Sequence, residues 1–131
     1  MSASIVRRIS WQKLDSLIDD LAPQLKGKIV YGVPRGGAIV AGIVRQRVPH
    51  VTVTTRRSLL HREMSTHNAV ILDDVIETGK TMSRFDYLDS TIPRIALFDK
   101  IKHPELIGTW IHFPWEREEN IPEELERFGY E

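Results

Sequence analysis

The sequence contains no cysteine and no hydrophobic run long enough to cross a bilayer. Without cysteine the protein has neither disulfides nor thiolate metal sites, which agrees with a reducing cytosol. The first residues, MSASIVRRISW, also lack the apolar core of a signal peptide. We therefore expect a cytoplasmic protein that does not associate with membranes.

An excess of charge of one sign is also missing, because 18 lysines and arginines balance 18 aspartates and glutamates. This balance argues against a general electrostatic grip on nucleic acid, which is not an expected partner. The five histidines lack the spacing of metal ligands, so a zinc site is not expected. Repeats and linkers are absent as well, and residues 1–131 are expected to form a single domain.

Four helical patterns are predicted among the apolar runs. A helix is predicted near residues 10–22, with Ser10 as its N-cap and Pro23 ending or kinking it. A second follows the turn at residues 34–37, and its predicted apolar side carries Ile39, Val40, Ile43 and Val44. A third is predicted from about Gly79 to Leu88, burying Met82, Phe85 and Leu88, and Asn120 is predicted to open a short C-terminal helix.

The apolar runs between these helices predict short strands rich in β-forming residues. They lie at residues 28–33, 51–53, 69–72, 94–98 and 110–113, and residues 54–67 are predicted to form a loop. Strands alternating with helices favour an α/β fold with a mainly parallel sheet and helices on both faces. Ligands of such sheets bind at the carboxyl ends of the strands.

Residues 70–82 (VILDDVIETGKTM) carry the most informative pattern. The turn Thr78–Thr81 can direct backbone N–H groups, two hydroxyls and a helix N-terminus at one anion, which suits a phosphate. Asp73 and Asp74, at the strand end, can bind a diol or hold a divalent cation. A phosphate site beside a diol or metal site describes a ribose phosphate. The alternative, in which the acids only end a strand and the turn only begins a helix, stays open.

This pattern resembles the phosphoribosyl-diphosphate signature of type I phosphoribosyltransferases. The resemblance implies that Asp73 and Asp74 bind the ribose hydroxyls, with Asp74 also near Mg²⁺. It implies that the 5-phosphate is bound by Glu77, Thr78, Gly79, Lys80 and Thr81. Glu77 stands where the family usually has aspartate, near N7 of the incoming purine, where it would accept the proton as the glycosidic bond forms.

Residues 31–37 (YGVPRGG) resemble the diphosphate-binding loop of the same family. Glycine lets the backbone approach an anion, and a guanidinium adds charge-assisted hydrogen bonds. The resemblance therefore implies that Arg35 and Gly36 bind the diphosphate. An ordinary tight turn is the alternative for this short segment.

Residues 98–100 and 109–116 (TWIHFPWE) resemble the hood of bacterial xanthine/guanine phosphoribosyltransferases, and the hood would extend over about residues 99–131. The resemblance implies that Lys100 donates to O6 of the base, that Trp110 stacks on the ring and that the backbone of Ile111 recognises the other ring edge. The alternative is that Trp110 and Trp115 are core aromatics and Lys100 a surface lysine.

Together these resemblances imply a Mg²⁺-dependent enzyme that transfers ribose-5-phosphate from phosphoribosyl diphosphate to xanthine, guanine or hypoxanthine and releases diphosphate. They also imply a homo-oligomer, either a dimer or a tetramer. A non-catalytic regulator with this fold and a pyrimidine phosphoribosyltransferase are the rival interpretations. The loop between Val53 and Ala69 is short for an active-site lid. Its Arg56, Arg57 and Arg62 are either a solvated cluster or a mobile loop that closes on diphosphate.

Overall fold

The computed structural model describes residues 5–56, 68–88, 91–120 and 126–130. Within these residues the helices are α1 (Trp11–Leu25) and α2 (Gly36–Arg47), and the strands are β1 (Ile5–Arg8), β2 (Ile29–Gly32), β3 (Thr52–Thr54), β4 (Ala69–Ile76), β5 (Arg94–Asp99), β6 (Thr109–His112) and β7 (Glu126–Tyr130). Short 3-10 turns lie at Met82–Phe85, Pro104–Leu106 and Glu118–Asn120. None of the helices in these ranges is long and apolar enough to span a bilayer.

The described strands form two sheets in which the paired strands are parallel. The larger sheet has the order β3-β2-β4-β5, and the smaller has the order β6-β1-β7. The larger sheet is the mainly parallel sheet predicted from the sequence. The smaller sheet departs from the prediction, because β1 carries two apolar residues followed by two arginines and gives no clear strand pattern.

Both faces of the larger sheet are covered, and β4 contributes to both because its side chains alternate. Val70 and Leu72 are fully buried in a cluster with side chains of α1 and α2. Ala69 and Ile71 are buried on the opposite face, where side chains of residues 82–88 pack on them. Full burial of one such aliphatic side chain contributes roughly 1.5–3 kcal/mol. The predicted fold class is confirmed, and β4 is held in position together with the acidic residues near its carboxyl end.

Helix α1 continues past Pro23, so the predicted end at residue 22 is wrong. A proline this close to a helix end interrupts the hydrogen bonding only locally. The added residues carry Leu25 into the core, where it is fully buried, and this burial offsets the cost. The predicted cap is confirmed, since the Ser10 hydroxyl accepts from the Lys13 N–H at 3.0 Å.

The α-helix predicted over residues 79–88 is wrong, and only a 3-10 turn forms within it. The side chains expected to be buried, Met82, Phe85 and Leu88, are nevertheless buried. The Phe85 carbonyl accepts from the Leu88 N–H and from the Arg94 guanidinium, each at 2.9 Å. The Arg84 N–H likewise donates to the Thr81 carbonyl and the Asp86 N–H to the Ser83 carbonyl, so most backbone bonds join residues three positions apart and the segment folds as tight turns.

One predicted core position on α2 is also wrong. Val40 and Val44 are fully buried as expected, and Ile43 packs partly buried against the same cluster. Ile39, however, is 39% exposed, and Ala41 is buried instead. The inward face of α2 is thus rotated by part of a turn from the predicted one.

Residues 121–125, in which the predicted C-terminal helix would begin, lie outside the described residues. Asn120 is the last residue of a 3-10 turn, and Glu126–Tyr130 forms strand β7, which pairs with β1. Of the predicted loop, residues 57–67 lie outside the described residues, and Arg57 and Arg62 lie there too. Arg56 is exposed in a segment without regular secondary structure after β3.

Candidate active site

A cavity of about 710 Å³ lies at the carboxyl ends of β2 and β4. It is bounded by the turn after β2, the end of β4 with the residues that follow, and the segment from Lys100 to Glu116. Of the residues predicted to form the site, it is lined by Arg35, Gly36, Asp73, Asp74, Glu77, Thr78, Thr81, Lys100, Trp110 and Ile111. Segments far apart in the sequence therefore meet around one space, as the strand-end rule predicts.

The turn after β2 packs tightly against β4, and this requires glycine at two positions. A Cβ at Gly36 would lie 1.9 Å from Asp74 Oδ2, and a Cβ at Gly37 would lie 2.5 Å from the Leu72 carbonyl oxygen. The Pro34–Arg35 peptide bond in this turn is cis. The packing brings the start of α2 directly against the acidic end of β4.

Asp73 and Asp74 belong to β4 itself, which extends past the predicted end of the strand. The Asp74 N–H donates to Asp73 Oδ1 and the Val75 N–H donates to Asp74 Oδ1, each at 2.8 Å. Asp73 is buried and Asp74 is half-buried. Burial, assisted by the neighbouring Asp74 carboxylate, raises the pKa of Asp73 to about 7, although hydrogen bonds from the backbone of Asp74 and Gly37 act in the opposite direction.

The acidic pair suits a divalent cation that brings other ligands with it. Among the described residues no group of three or more His, Cys, Asp or Glu side chains could hold a metal by itself. Mg²⁺ needs only one or two carboxylates when waters and substrate phosphates complete its shell. Asp74 lines the cavity beside the buried Asp73, and a cation there would offset the repulsion between the two carboxylates.

The turn after β4 lines two spaces. Glu77, Thr78 and Thr81 line the large cavity, whereas Gly79 and Lys80 line an adjoining cavity of about 60 Å³. Gly79 has a φ of 84°, which favours glycine, and it lets the chain reverse. Because only a 3-10 turn follows, the predicted helix N-terminus is absent here. Backbone N–H groups and hydroxyls remain as the groups that can bind an anion.

Lys100 is buried, so the alternative in which it is a surface lysine is wrong. Its side chain is 6% exposed, and its Nζ lies 2.8 Å from Glu77 Oε2. The same ammonium donates to the Thr109 carbonyl at 2.7 Å. These two contacts join the end of β4 to the start of β6 across the cavity.

The two tryptophans of the TWIHFPWE segment have different surroundings. Trp115 stacks on Phe113, with ring centroids 4.6 Å apart and planes 3° apart, and it packs against the core. Trp110 lines the cavity, as does Ile111. The Trp110 indole N–H is buried and has no hydrogen-bond partner among the described residues. The core-aromatic alternative is therefore right for Trp115, and Trp110 is available to a ligand.

The chain is similar to known proteins in sequence and in fold. The chain is 26% identical over 140 residues to a xanthine-guanine phosphoribosyltransferase of Idiomarina loihiensis, covering 82% of this chain and 85% of that protein. It superposes on the crystal structure of a purine phosphoribosyltransferase from Pyrococcus horikoshii with a TM-score of 0.56 and 21% identity, covering 89% of this chain and 96% of the other. The chain has the phosphoribosyltransferase fold. No family model matches the chain.

The resemblance to phosphoribosyltransferases is thus confirmed. The cavity is also lined by residues that the sequence analysis did not name as site residues. Glu116 lines the cavity, half-buried, and burial raises the pKa of its carboxyl group. His112 opposes this rise in pKa and Asp74 adds to it. Glu116 ends the TWIHFPWE segment, so the signal was an acid following a predicted base-binding stretch. Thr109 contributes a carbonyl, which no residue-type pattern can indicate.

Proposed function

We propose that this chain is a phosphoribosyltransferase that acts on a purine base. One observation carries the proposal: a single cavity is lined by the acidic pair of β4, the turn after it, Arg35, Lys100 and Trp110. This set combines groups suited to a ribose phosphate with a cation and an aromatic ring suited to a flat, oxygen-bearing base. The named relatives are a xanthine-guanine and a purine phosphoribosyltransferase.

The reaction is a displacement at C1 of the ribose. N9 of the purine forms a bond to C1 while the bond from C1 to the diphosphate oxygen breaks, and diphosphate leaves with the bonding electrons. The proton on N7 passes to the Glu77 carboxylate. Products are a purine nucleoside monophosphate and diphosphate. Holding both reactants in one cavity supplies the orientation that such a reaction needs.

On the phosphate side, we propose that Asp73 and Asp74 accept hydrogen bonds from the ribose hydroxyls. Residues 77–81 bind the 5-phosphate, and Arg35 and Gly36 contact the diphosphate. The exposed Arg35 at the cavity wall stabilises the negative charge that grows on the leaving group. When bound near Asp74, Mg²⁺ neutralises the same charge.

On the base side, we propose that a 6-oxopurine is preferred. The Lys100 ammonium can only donate hydrogen bonds, so it favours an oxygen at position 6 and disfavours the amino group of adenine. Trp110 stacks on the ring, and the backbone of Ile111 contacts the edge that carries position 2. A homo-oligomer and a cytoplasmic location go with this proposal.

A base panel tests the proposal. The full chain is incubated with phosphoribosyl diphosphate, Mg²⁺ and one of xanthine, guanine, hypoxanthine, adenine or uracil, and diphosphate release is followed. We expect turnover with at least one 6-oxopurine and little with adenine, since an unpaired polar contact costs about 1–3 kcal/mol, or roughly ten- to a hundredfold. Equal turnover of adenine or uracil contradicts the 6-oxopurine assignment. Binding of phosphoribosyl diphosphate with no turnover of any base favours the regulator.

A further inference from the structure

The contact between Glu77 and Lys100 follows from strand register. In the parallel pair of β4 and β5, Ile76 lies opposite Asp99, which is the last matched pair of the two strands. Glu77 directly follows β4 and Lys100 directly follows β5. The Lys100 N–H donates to the Ile76 carbonyl at 2.9 Å. Their side chains converge on the cavity, with Nζ 2.8 Å from Oε2.

Counting hydrogen bonds shows what each group still offers to a ligand. An ammonium has three N–H donors. Within the described residues, Lys100 directs two of them to Glu77 and to the Thr109 carbonyl, which leaves one. The Glu77 carboxylate uses Oε2 for Lys100, and its other oxygen makes no hydrogen bond or ion pair with a described residue. The Glu77 side chain is 61% exposed, so this second oxygen is accessible from the cavity.

We infer that Glu77 and Lys100 form one recognition unit, in which Glu77 positions the Lys100 ammonium on O6 while its second oxygen accepts the N7 proton. This inference rests on the proposed function. O6 and N7 lie side by side on one edge of a 6-oxopurine. A donor and an acceptor bonded to each other at 2.8 Å match that edge when N7 carries the proton, and this tautomer leaves the N9 lone pair free to attack C1.

The length of the glutamate is part of the unit. Aspartate at position 77 would withdraw the carboxylate by one methylene, too far to keep a 2.8 Å contact with the ammonium. Lys100 would then keep only the Thr109 carbonyl as a fixed partner. The charge at position 77 would persist, but the orientation of the ammonium would be lost.

A double-mutant cycle on the full chain tests the inference. The probe is 9-deazaguanine, which keeps O6 and the N7 proton but has no N9 to react, and its Kd is measured by calorimetry. Glu77→Gln and Lys100→Met are each expected to weaken binding roughly ten- to a hundredfold, as expected of hydrogen bonds to charged groups. The double variant is expected to lose little more than the worse single variant. If the fold losses of affinity in the two single variants multiply in the double variant, the two residues act independently and the inference is overturned.

Controls separate this inference from the proposed function. Glu105→Gln and Lys102→Met alter exposed charges outside the cavity lining and are expected to leave the Kd unchanged. Both control variants should also bind phosphoribosyl diphosphate as the unaltered chain does. If the unaltered chain binds neither phosphoribosyl diphosphate nor 9-deazaguanine, the proposed function fails and the inference with it. If it binds both and the losses multiply, only the coupling fails.

Glu77→Asp gives a second test at an exposed position, where misfolding does not intervene. We expect the ratio of kcat/KM for guanine over adenine to fall at least roughly tenfold, because the ammonium is no longer fixed on O6. The kcat for guanine should fall less than in Glu77→Gln, since a carboxylate remains to accept the proton. An unchanged guanine-to-adenine ratio overturns the positioning role.

Discussion

Asp73, Asp74 and the turn 77–81, which we propose bind the ribose and phosphate and call the phosphate half of the cavity, belong to one continuous stretch of chain. The part that we propose binds the base, called the base half, comprises Lys100, Trp110, Ile111 and Glu116, which are spread over a longer segment with several turns. In the phosphate half, the carboxylates of the acidic pair accept backbone N–H bonds at 2.8 Å. In the base half, Lys100 is fixed by a side chain from the opposite half and by a distant carbonyl.

This difference separates the groups proposed to bind the ribose and phosphate from those proposed to select the base. Groups held by the main chain of a central strand have little freedom, which suits the fixed ribose and phosphate groups that we propose they bind. Groups held by one ion pair and one carbonyl depend on few contacts, so single substitutions there can change the base that is accepted. The division would be contradicted if substitutions in the phosphate half changed the choice of base while substitutions in the base half changed the affinity for phosphoribosyl diphosphate. The following predictions test it.

The largest effect is expected in the phosphate half, from loss of the metal. Chelation with EDTA should abolish turnover, and Mg²⁺ or Mn²⁺ should restore it. Asp74→Asn should lower kcat/KM roughly ten-thousandfold, since a metal supplies several kcal/mol of charge stabilisation. Its melting temperature should stay near that of the unaltered chain, and exposed Asp20→Asn serves as the control. Full turnover in EDTA would exclude the metal from the mechanism.

The next largest effect is expected at Glu77, where the two halves meet. Glu77→Gln should lower kcat about a hundred- to ten-thousandfold, the usual loss for a general base. The Kd for phosphoribosyl diphosphate should change little, because the phosphate contacts of this turn come mainly from backbone N–H groups and hydroxyls. Kcat from steady-state rates and Kd from calorimetry separate the two effects. An unchanged kcat limits Glu77 to positioning.

In the base half, Trp110→Ala should weaken binding of guanine roughly tenfold or more, since stacking on an aromatic ring contributes about 1–3 kcal/mol. Phosphoribosyl diphosphate should bind as before. Trp115→Ala is the matched comparison, because Trp115 packs on Phe113 in the core and its loss should lower the melting temperature instead. Equal losses of affinity for both ligands in Trp110→Ala would contradict the division into halves.

A smaller effect is expected where α2 presses on the acidic pair. Gly36→Ala would place a methyl group 1.9 Å from Asp74 Oδ2, so the carboxylate must move. We expect weaker phosphoribosyl diphosphate binding and a loss of about 1–3 kcal/mol in the free energy of unfolding. Gly42→Ala, on the same helix with open space around its Cβ, should instead stabilise the chain by about 0.5–1 kcal/mol. Chemical denaturation measures both.

The stability of the chain should also depend on pH. Because the pKa of Asp73 is raised to about 7, the folded chain keeps a proton that the unfolded chain releases near pH 4. The unfolded state then binds fewer protons in this window, so the contribution of Asp73 to stability falls as the pH rises from about 4 to 7. Asp73→Asn should show a shallower fall of melting temperature over that range. An identical slope would assign the pH dependence to other groups, such as Glu116.

The sequence predicted the phosphate half well because its information is local. Residues 70–82 show a buried strand, two acids and a phosphate-type turn in order, and each feature depends on near neighbours. The predicted helix after Gly79 does not form, because most backbone bonds of this segment, such as that from the Asp86 N–H to the Ser83 carbonyl, join residues three positions apart. The pattern of buried residues 82, 85 and 88 fits a helix and a set of tight turns equally well.

The base half could be predicted only through resemblance. Nothing in the residues around Trp110 and Trp115 says which ring packs in the core, since that depends on the position of Phe113 in the folded chain. The pairing of Glu77 with Lys100 depends on strand register, and the acceptor at Thr109 is a backbone carbonyl. The smaller sheet was missed because β1 has too few apolar residues to give an alternating pattern.

The match of Ile76 with Asp99 also makes the base half a reporter of correct folding. A slip of β5 by one residue against β4 would shift Lys100 by about 3.3 Å and turn its side chain to the opposite face of the sheet. The phosphate half, built on β4 and the turn after it, would keep most of its groups. On the proposed assignments, a chain refolded in the wrong register would therefore bind phosphoribosyl diphosphate but not guanine. The ratio of the two bound ligands measures the fraction of molecules whose edge strand has docked in its native alignment.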